Sequence, residues 1–197
     1  HDITGKSPHQ LCHQGIARTF QIVRCFPKLS AIDNIRVGLI FGAGHKTHIK
    51  SLDHLTNNYP KLKKDRRDPT IQQAEMLLDF VGFPVSKNIL AENLNVMQLK
   101  RLELARALST NPRLLLLDEV AAGLTPAELP AFITLVKKIR DSGITIICIE
   151  HVMKFIMEVC DRIAVLQFGS KIAEGVTDEI KNNPKVMEAY LGEEHVH

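Results

Sequence analysis

The 197-residue chain lacks the marks of several protein classes. Its four cysteines, Cys12, Cys25, Cys148 and Cys160, form no Cys-x-x-Cys pair, which excludes zinc-ribbon spacing and a dithiol redox motif. Scattered thiols in a chain of this size fit a reducing cytosol. No apolar run approaches the ~20 residues that a membrane-crossing helix needs, so any crossing belongs to a partner. The start, His1-Asp2-Ile3-Thr4-Gly5, has neither the charged region, the apolar core nor the cleavage site of a signal peptide. It also lacks an initiator methionine, and we expect the chain to begin partway through a longer gene product. An excess of one charge is missing too: 25 basic against 22 acidic side chains leave a net +3, too little to mark a nucleic-acid binder. No internal repeat occurs. What is present is ordinary. Apolar residues make up 45% and charged residues 24%, the balance of a globular protein long enough to bury a core without staples.

Gly15 to Phe20 reads as a short strand ending at Gln21. Ser30 suits an N-cap with Asp33 three residues on, opening a helix to about Leu39. Residues 41–68, with Gly42, Gly44, Asn57, Asn58 and Pro60 among many cations, read as a loop or insertion. Pro69 opens a helix with Ala74, Leu77, Leu78 and Val81 on one face, and another runs from about Met97 to Ser109. Beyond residue 112 strands and helices alternate. The runs 114–117 and 144–149 are apolar on both faces, as strands covered by helices on two sides should be. Thr125-Pro126-Ala127-Glu128 reads as a capping box, with Pro130 expected to kink the helix that follows. Residues 162–166 and 171–173 flank a turn and read as a hairpin on the sheet edge. Two short helices, separated at Pro184, follow. The order predicts an α/β domain with a mainly parallel sheet.

The most informative segment is Leu114 to Glu119. Four leucines deliver two adjacent carboxylates to the carboxyl end of a parallel strand, where α/β sheets place their ligands. Asp118 suits Mg²⁺ held through water, and Glu119 suits an attacking water; phosphoryl transfer needs that division of labour. The same hexapeptide also suits a strand that merely ends in a turn. His151, just past the next strand, suits a γ-phosphate oxygen, while the other histidines read as solvated. Gln21 ends the first strand, where its amide suits Mg²⁺ or the nucleophilic water. Leu94-Asn95-Val96-Met97-Gln98 leads into a helix whose free N–H groups attract phosphate. Lys46 to Arg67 is rich in cations; it suits anionic lipid or nucleic acid, or simply a solvated insertion broken by Asp53, Asp65 and Asp68.

Together these pieces resemble an ATP-binding-cassette (ABC) ATPase. Gln21 matches the family's Q-loop, residues 94–98 its signature, Leu114 to Glu119 its Walker B strand, Ala122 to Thr125 its D-loop and His151 its switch histidine. Residues 15–21, 121–128 and 189–192 resemble the ATP-binding subunits of branched-chain amino acid importers. The resemblance implies an α/β fold: an ABC-type P-loop ATPase core with a mainly parallel sheet, a helical subdomain, and a C-terminal β-hairpin with short helices. It implies one ABC ATPase domain over 1–197, with a helical and signature subdomain at about 22–110, a catalytic core at 111–175 and an extension at 176–197. Glu119 and His151 would be catalytic. Asp118 and Gln21 would bind Mg²⁺. Asn95, Gln98 and Gly123 would contact ATP bound to a second cassette in a head-to-tail homo- or heterodimer. Further partners implied are membrane permease subunits and, indirectly, a periplasmic or extracellular binding protein; nucleic acid is not among them. The implied place is peripheral, on the cytoplasmic face of the plasma (inner) membrane.

The sequence departs from the family pattern in several ways, of which Val96 in the signature and Val120 for the proline after the Walker B pair are expected to matter less. The phosphate-binding Gly-rich loop is expected upstream of residue 1. The segment Gly42-Ala43-Gly44-His45-Lys46-Thr47 does not replace it, since Gly-x-x-x-x-Gly-Lys-Thr would need glycine at 40 and 45. The signature has Asn95 for serine and Met97 for a glycine that admits close backbone approach. Losing one preorganised donor typically costs ~3–4 kcal/mol, so hydrolysis by this chain alone is expected to be impaired. Two alternatives stand beside the importer subunit: a catalytically inactive cassette kept as a binding or assembly partner, and a nucleic-acid-associated ABC ATPase.

Overall fold

A computed structural model of the chain describes residues 2–42 and 68–194, with 190–194 by backbone alone. The cation-rich stretch from Lys46 to Arg67, nearly all of the insertion read over 41–68, and His45, His48, His54, His195 and His197 lie outside the described residues. The chain divides into two compact units, residues 1–150 and 151–197.

In the first unit, β1 (Ile16–Arg18), β2 (Leu114–Asp118) and β3 (Thr145–Ile149) form a parallel sheet in the order β1-β2-β3. Ile16 pairs with Leu114, which pairs with Thr145, and the register runs on to Asp118 and Ile149. β1 is shorter than its sequence predicts. Pairing stops at Arg18, although the Thr19 N–H still reaches the Leu116 carbonyl at 2.9 Å. The apolar runs do not mean two covered faces. Leu115 and Leu117 are buried, whereas Ile147 and Ile149 are 55% and 66% exposed. Apolar composition shows which faces tolerate burial, and only packing decides which are covered.

Helices α1 (Pro8–His13), α2 (Ala31–Phe41), α3 (Pro69–Phe80), α4 (Val96–Ser109) and α5 (Leu129–Asp141) complete this unit, with a 3₁₀ turn at Ala91–Asn93. Three of the expected starts are capped by a side chain. Ser30 accepts from the Asp33 N–H, Asp68 from Thr70 and Asn95 from Gln98, each satisfying a donor that the first turn leaves free. The Thr125–Glu128 box forms as well, but it closes a turn ahead of α5. Pro130 therefore falls in the first turn of α5, where its missing N–H costs nothing and no kink is required.

Helices α2 and α4 pack closely because α2 carries glycine at the contact. A Cβ on Gly38 would run into Ser109 Oγ and lie 3.0 Å from the Arg106 carbonyl. Ser109 cannot step aside freely, since its hydroxyl donates to that carbonyl at 2.6 Å. Gly38→Ala would gain up to about 1 kcal/mol in helix propensity and lose about 1–3 kcal/mol to overpacking. The expected net result is a lower urea midpoint at unchanged slope; a raised midpoint would mean that the two helices are not in close contact here.

The second unit holds α6 (Met153–Val159), β4 (Ile163–Gln167), β5 (Ser170–Gly175), α7 (Thr177–Lys181) and α8 (Pro184–Glu194). The hairpin read from the sequence forms, but as a two-stranded sheet of its own rather than an edge of the parallel one. Gln167 pairs with Ser170 across Phe168 and Gly169, whose φ values are 48° and 78°. Two central residues with positive φ make a turn that matches strand twist. Such a turn specifies the partner strand and leaves the sheet's other neighbours open. Among the described residues no helix is long and apolar enough to cross a membrane.

Candidate functional site

The two carboxylates leave the end of β2 in different ways. Asp118 is the last strand residue, and its N–H is held by the Thr19 hydroxyl at 3.3 Å. Glu119 turns into the left-handed region at φ 47°, a conformation that costs a non-glycine residue of order 1 kcal/mol and clusters at functional sites. Neighbours enforce it. The Glu119 N–H donates to the Ile149 carbonyl at 2.9 Å, and the Glu119 carbonyl accepts from Ala122 at 3.1 Å. The Ala121 N–H donates to Glu150 Oε1 at 2.7 Å. The turn after β2 is thus tied to the end of β3.

Gln21 meets this turn directly: its Nε2 donates to Glu119 Oε2 at 2.6 Å, joining residues 98 apart in sequence. The loop that carries Gln21 is pinned at two further points. The buried Asn34 amide accepts from the Phe26 N–H at 2.8 Å and donates to the carbonyls of Phe26, Leu29 and Ser30. The buried Glu103 carboxylate accepts from the Arg24 N–H at 3.3 Å. Sequence reading missed all three anchors, Thr19, Asn34 and Glu103. It also missed Arg18, whose Nη2 lies 2.7 Å from Asp118 Oδ2. Arg18 pairs in register with Leu116, and residues two apart on a strand share a face, so this ion pair was recoverable once the register was known. The guanidiniums of Arg18 and Arg24 stand 5.3 and 5.5 Å from the Phe20 ring centroid. Burial pushes the nearby Cys25 thiol up to about 11, which favours the protonated, less reactive form at neutral pH.

At the N-terminus of α4, Asn95 and Gln98 cap one another. Gln98 N–H donates to Asn95 Oδ1 at 2.9 Å, and Asn95 N–H to Gln98 Oε1 at 3.0 Å. With both amide oxygens engaged, the remaining Nδ2 and Nε2 groups are the donors through which these side chains would meet an anion. Met97 follows as the second helical residue, half-buried. Gly123, at φ 76°, lies beside this corner, with Val96 Cγ1 3.9 Å from where its Cβ would stand. Gln21 and Glu119, and separately Gly123 and the α4 start, are therefore brought together within the first unit. His151 is exposed and opens the second unit.

The donor chemistry suits a hard cation. Mg²⁺ takes oxygen ligands, keeps several waters and is bound through one or two carboxylates plus substrate phosphates rather than by an all-protein cage. Asp118 supplies a carboxylate. Gln21 turns its nitrogen toward Glu119, which leaves its oxygen for another partner. Among the described residues no group of three or more His, Cys, Asp or Glu forms a cage, so a cation here would depend on its substrate for further ligands.

Comparison with known proteins gives consistent matches. The model of the ABC transporter family matches residues 1–122. That of the branched-chain amino acid ATP-binding cassette transporter matches residues 170–196. The high-affinity branched-chain amino acid transport ATP-binding protein BraF of Pseudomonas aeruginosa is 36% identical over 98% of this chain and 73% of its own length. The corresponding LivG protein of Escherichia coli is 35% identical over 97% of this chain and 73% of its own. Among solved structures, the ADP conformation of an ATP-binding cassette of an ABC transporter superposes with a TM-score of 0.75 at 30% identity, covering 98% of this chain and 74% of the other.

Proposed function

The chain belongs to the ABC transporter ATPase family, and from that premise we propose that it is the ATP-binding, ATP-hydrolysing subunit that energises import of branched-chain amino acids through a membrane permease. The observation that carries the reading at the site is the Gln21–Glu119 hydrogen bond. It joins the loop after β1 to the carboxylate beyond β2, the pair that hydrolysis of a terminal phosphate needs side by side. What supports the substrate class is the kind of relative matched over nearly the whole chain.

In this reading Glu119 accepts the proton of the attacking water, and its left-handed backbone turns the carboxylate out from the strand end. Gln21 fixes the Glu119 rotamer. Asp118 and the Gln21 oxygen would hold Mg²⁺, which when bound neutralises charge on the terminal phosphates. Arg18 guards Asp118 until then. Its ion pair is more than half exposed on the arginine side, and exposed pairs are worth only about 0–1 kcal/mol, so it yields at little cost. His151 would bond a terminal phosphate oxygen. Asn95, Gln98 and Gly123 would meet the nucleotide of a second cassette arranged head to tail, with the permease beyond. The protein would then sit peripherally on the cytoplasmic face of the inner membrane.

A second reading, a cassette that binds nucleotide without turning it over, is favoured by the start of α4. There a methionine with a Cβ stands where close backbone approach to phosphate is wanted. Expression with permease and binding-protein partners separates the two. Copurification with the permease and phosphate release with Mg²⁺-ATP are expected. Nucleotide binding without phosphate release selects the silent cassette, and copurification with nucleic acid instead of a permease overturns both.

A further inference from the structure

Glu103 is an unusual residue to find at the centre of α4. It is 3% exposed, and acids are almost never fully buried unless paired. Its hydrogen-bond partner is not a cation but a backbone amide, the Arg24 N–H at 3.3 Å. Burial pushes the Glu103 carboxyl above its ordinary value, against the downward pull of the Arg24 amide first, then Arg106, the Phe20 amide and Lys100. Both amides belong to the segment that holds Gln21. Burial pulls the buried Lys100 ammonium, one turn earlier, below its ordinary value, against the opposing pull of the Glu103 and Glu150 charges.

A carboxylate whose burial outweighs its partners is a poor device for stability. The folded form takes up a proton more readily than the unfolded chain, so its contribution falls as pH rises past the ordinary carboxylate range. An apolar side chain of the same size would serve the core better. What an apolar side chain cannot do is accept from the Arg24 N–H.

We propose that Glu103 is a positioning residue: its carboxylate staples the Arg24 backbone to the helix bearing Asn95 and Gln98, so that Gln21, three residues earlier, reaches Glu119. The staple links the segment bearing Gln21 to the helix bearing Asn95 and Gln98. This deepens the ATPase reading and rests on it for its catalytic consequence, though not for the staple itself.

The test uses the full chain with Glu103→Met, which keeps volume without an acceptor, Glu103→Asp, which keeps charge but withdraws it by one methylene, and Glu103→Gln, which keeps an acceptor oxygen without charge. Amide hydrogen exchange reads the staple. In the Met and Asp variants, the Arg24 amide is expected to exchange about tenfold faster, with α4 amides unchanged and the Gln variant close to wild type. In the assembled transporter the Met and Asp variants are expected to lose about tenfold in kcat with KM for ATP held, and the Gln variant to be rescued. Equal exchange at the Arg24 amide in all chains overturns the proposal, as does a loss spread along α4 or a Gln variant as impaired as Met. If Met does not fold, Asp against Gln decides. If the wild-type assembly hydrolyses no ATP, the functional reading fails and the exchange arm still decides the staple.

Discussion

Glu119→Gln is expected to lower phosphate release from the assembled transporter by about 10²–10⁴-fold, the usual worth of a positioned general base, while ATP affinity stays within about threefold. That ratio corresponds to about 3–5 kcal/mol of barrier. The substitution is informative because it removes basicity and little else. Gln21 donates to Glu119 Oε2 at 2.6 Å, and a glutamine at 119 still offers an oxygen to that donor. The backbone at φ 47° is held by Ile149 and Ala122 through main-chain bonds that no side-chain change touches. Steady-state phosphate release and equilibrium nucleotide binding, measured on the same preparation, give the two arms. Retained turnover would remove Glu119 from the chemistry and leave the hydrogen bond from Gln21 a structural contact. Loss of binding together with turnover would point to a collapsed turn.

Much of the site was legible because its residues lie at ends of elements. Asp118 and Glu119 close an apolar run, Gln21 closes a shorter one, and Asn95 and Gln98 lie where a helix is about to begin; each position is set by local pattern. The cap shows both the strength and the limit of such reading. The sequence places Asn95 before α4, yet the structure spends its Oδ1 on the Gln98 N–H, a competition between local capping and ligand that spacing cannot decide. What holds the site together was not legible. Arg18 on Asp118, Thr19 under Asp118 and Glu103 on the Arg24 amide join residues 100, 99 and 79 apart in sequence. They depend on sheet register and on which turn of α4 faces β1, and neither has a signature in a single sequence. The exposed face of β3 has the same cause: Ile147 and Ile149 are as apolar as Leu115 and Leu117, and only packing tells them apart. α1 was missed because six residues with no buried side chain leave no periodicity to find.

Leu117→Ala is expected to cost about 2–5 kcal/mol, the range for a buried leucine that leaves a cavity behind. That would lower the melting temperature by roughly 5–15 °C in a chain of this size. Leu117 is 1% exposed, sits on the central strand of the sheet and pairs in register with Cys148. Leu115 shares its face and is equally enclosed. Leu116 is the control: it lies on the opposite face, is only half-buried, and its truncation is expected to cost much less. The comparison also bears on chemistry. Side chains two apart along a strand share a face, so the face of Leu116 is the face of Asp118, across from Arg18. Thermal melts of the two variants therefore test which side of β2 is core and which side offers its carboxylate to a ligand. If Leu116→Ala proves the costly change and Leu117→Ala melts like the parent chain, the strand is turned over. Asp118 would then point into the packed interior, where no triphosphate can follow.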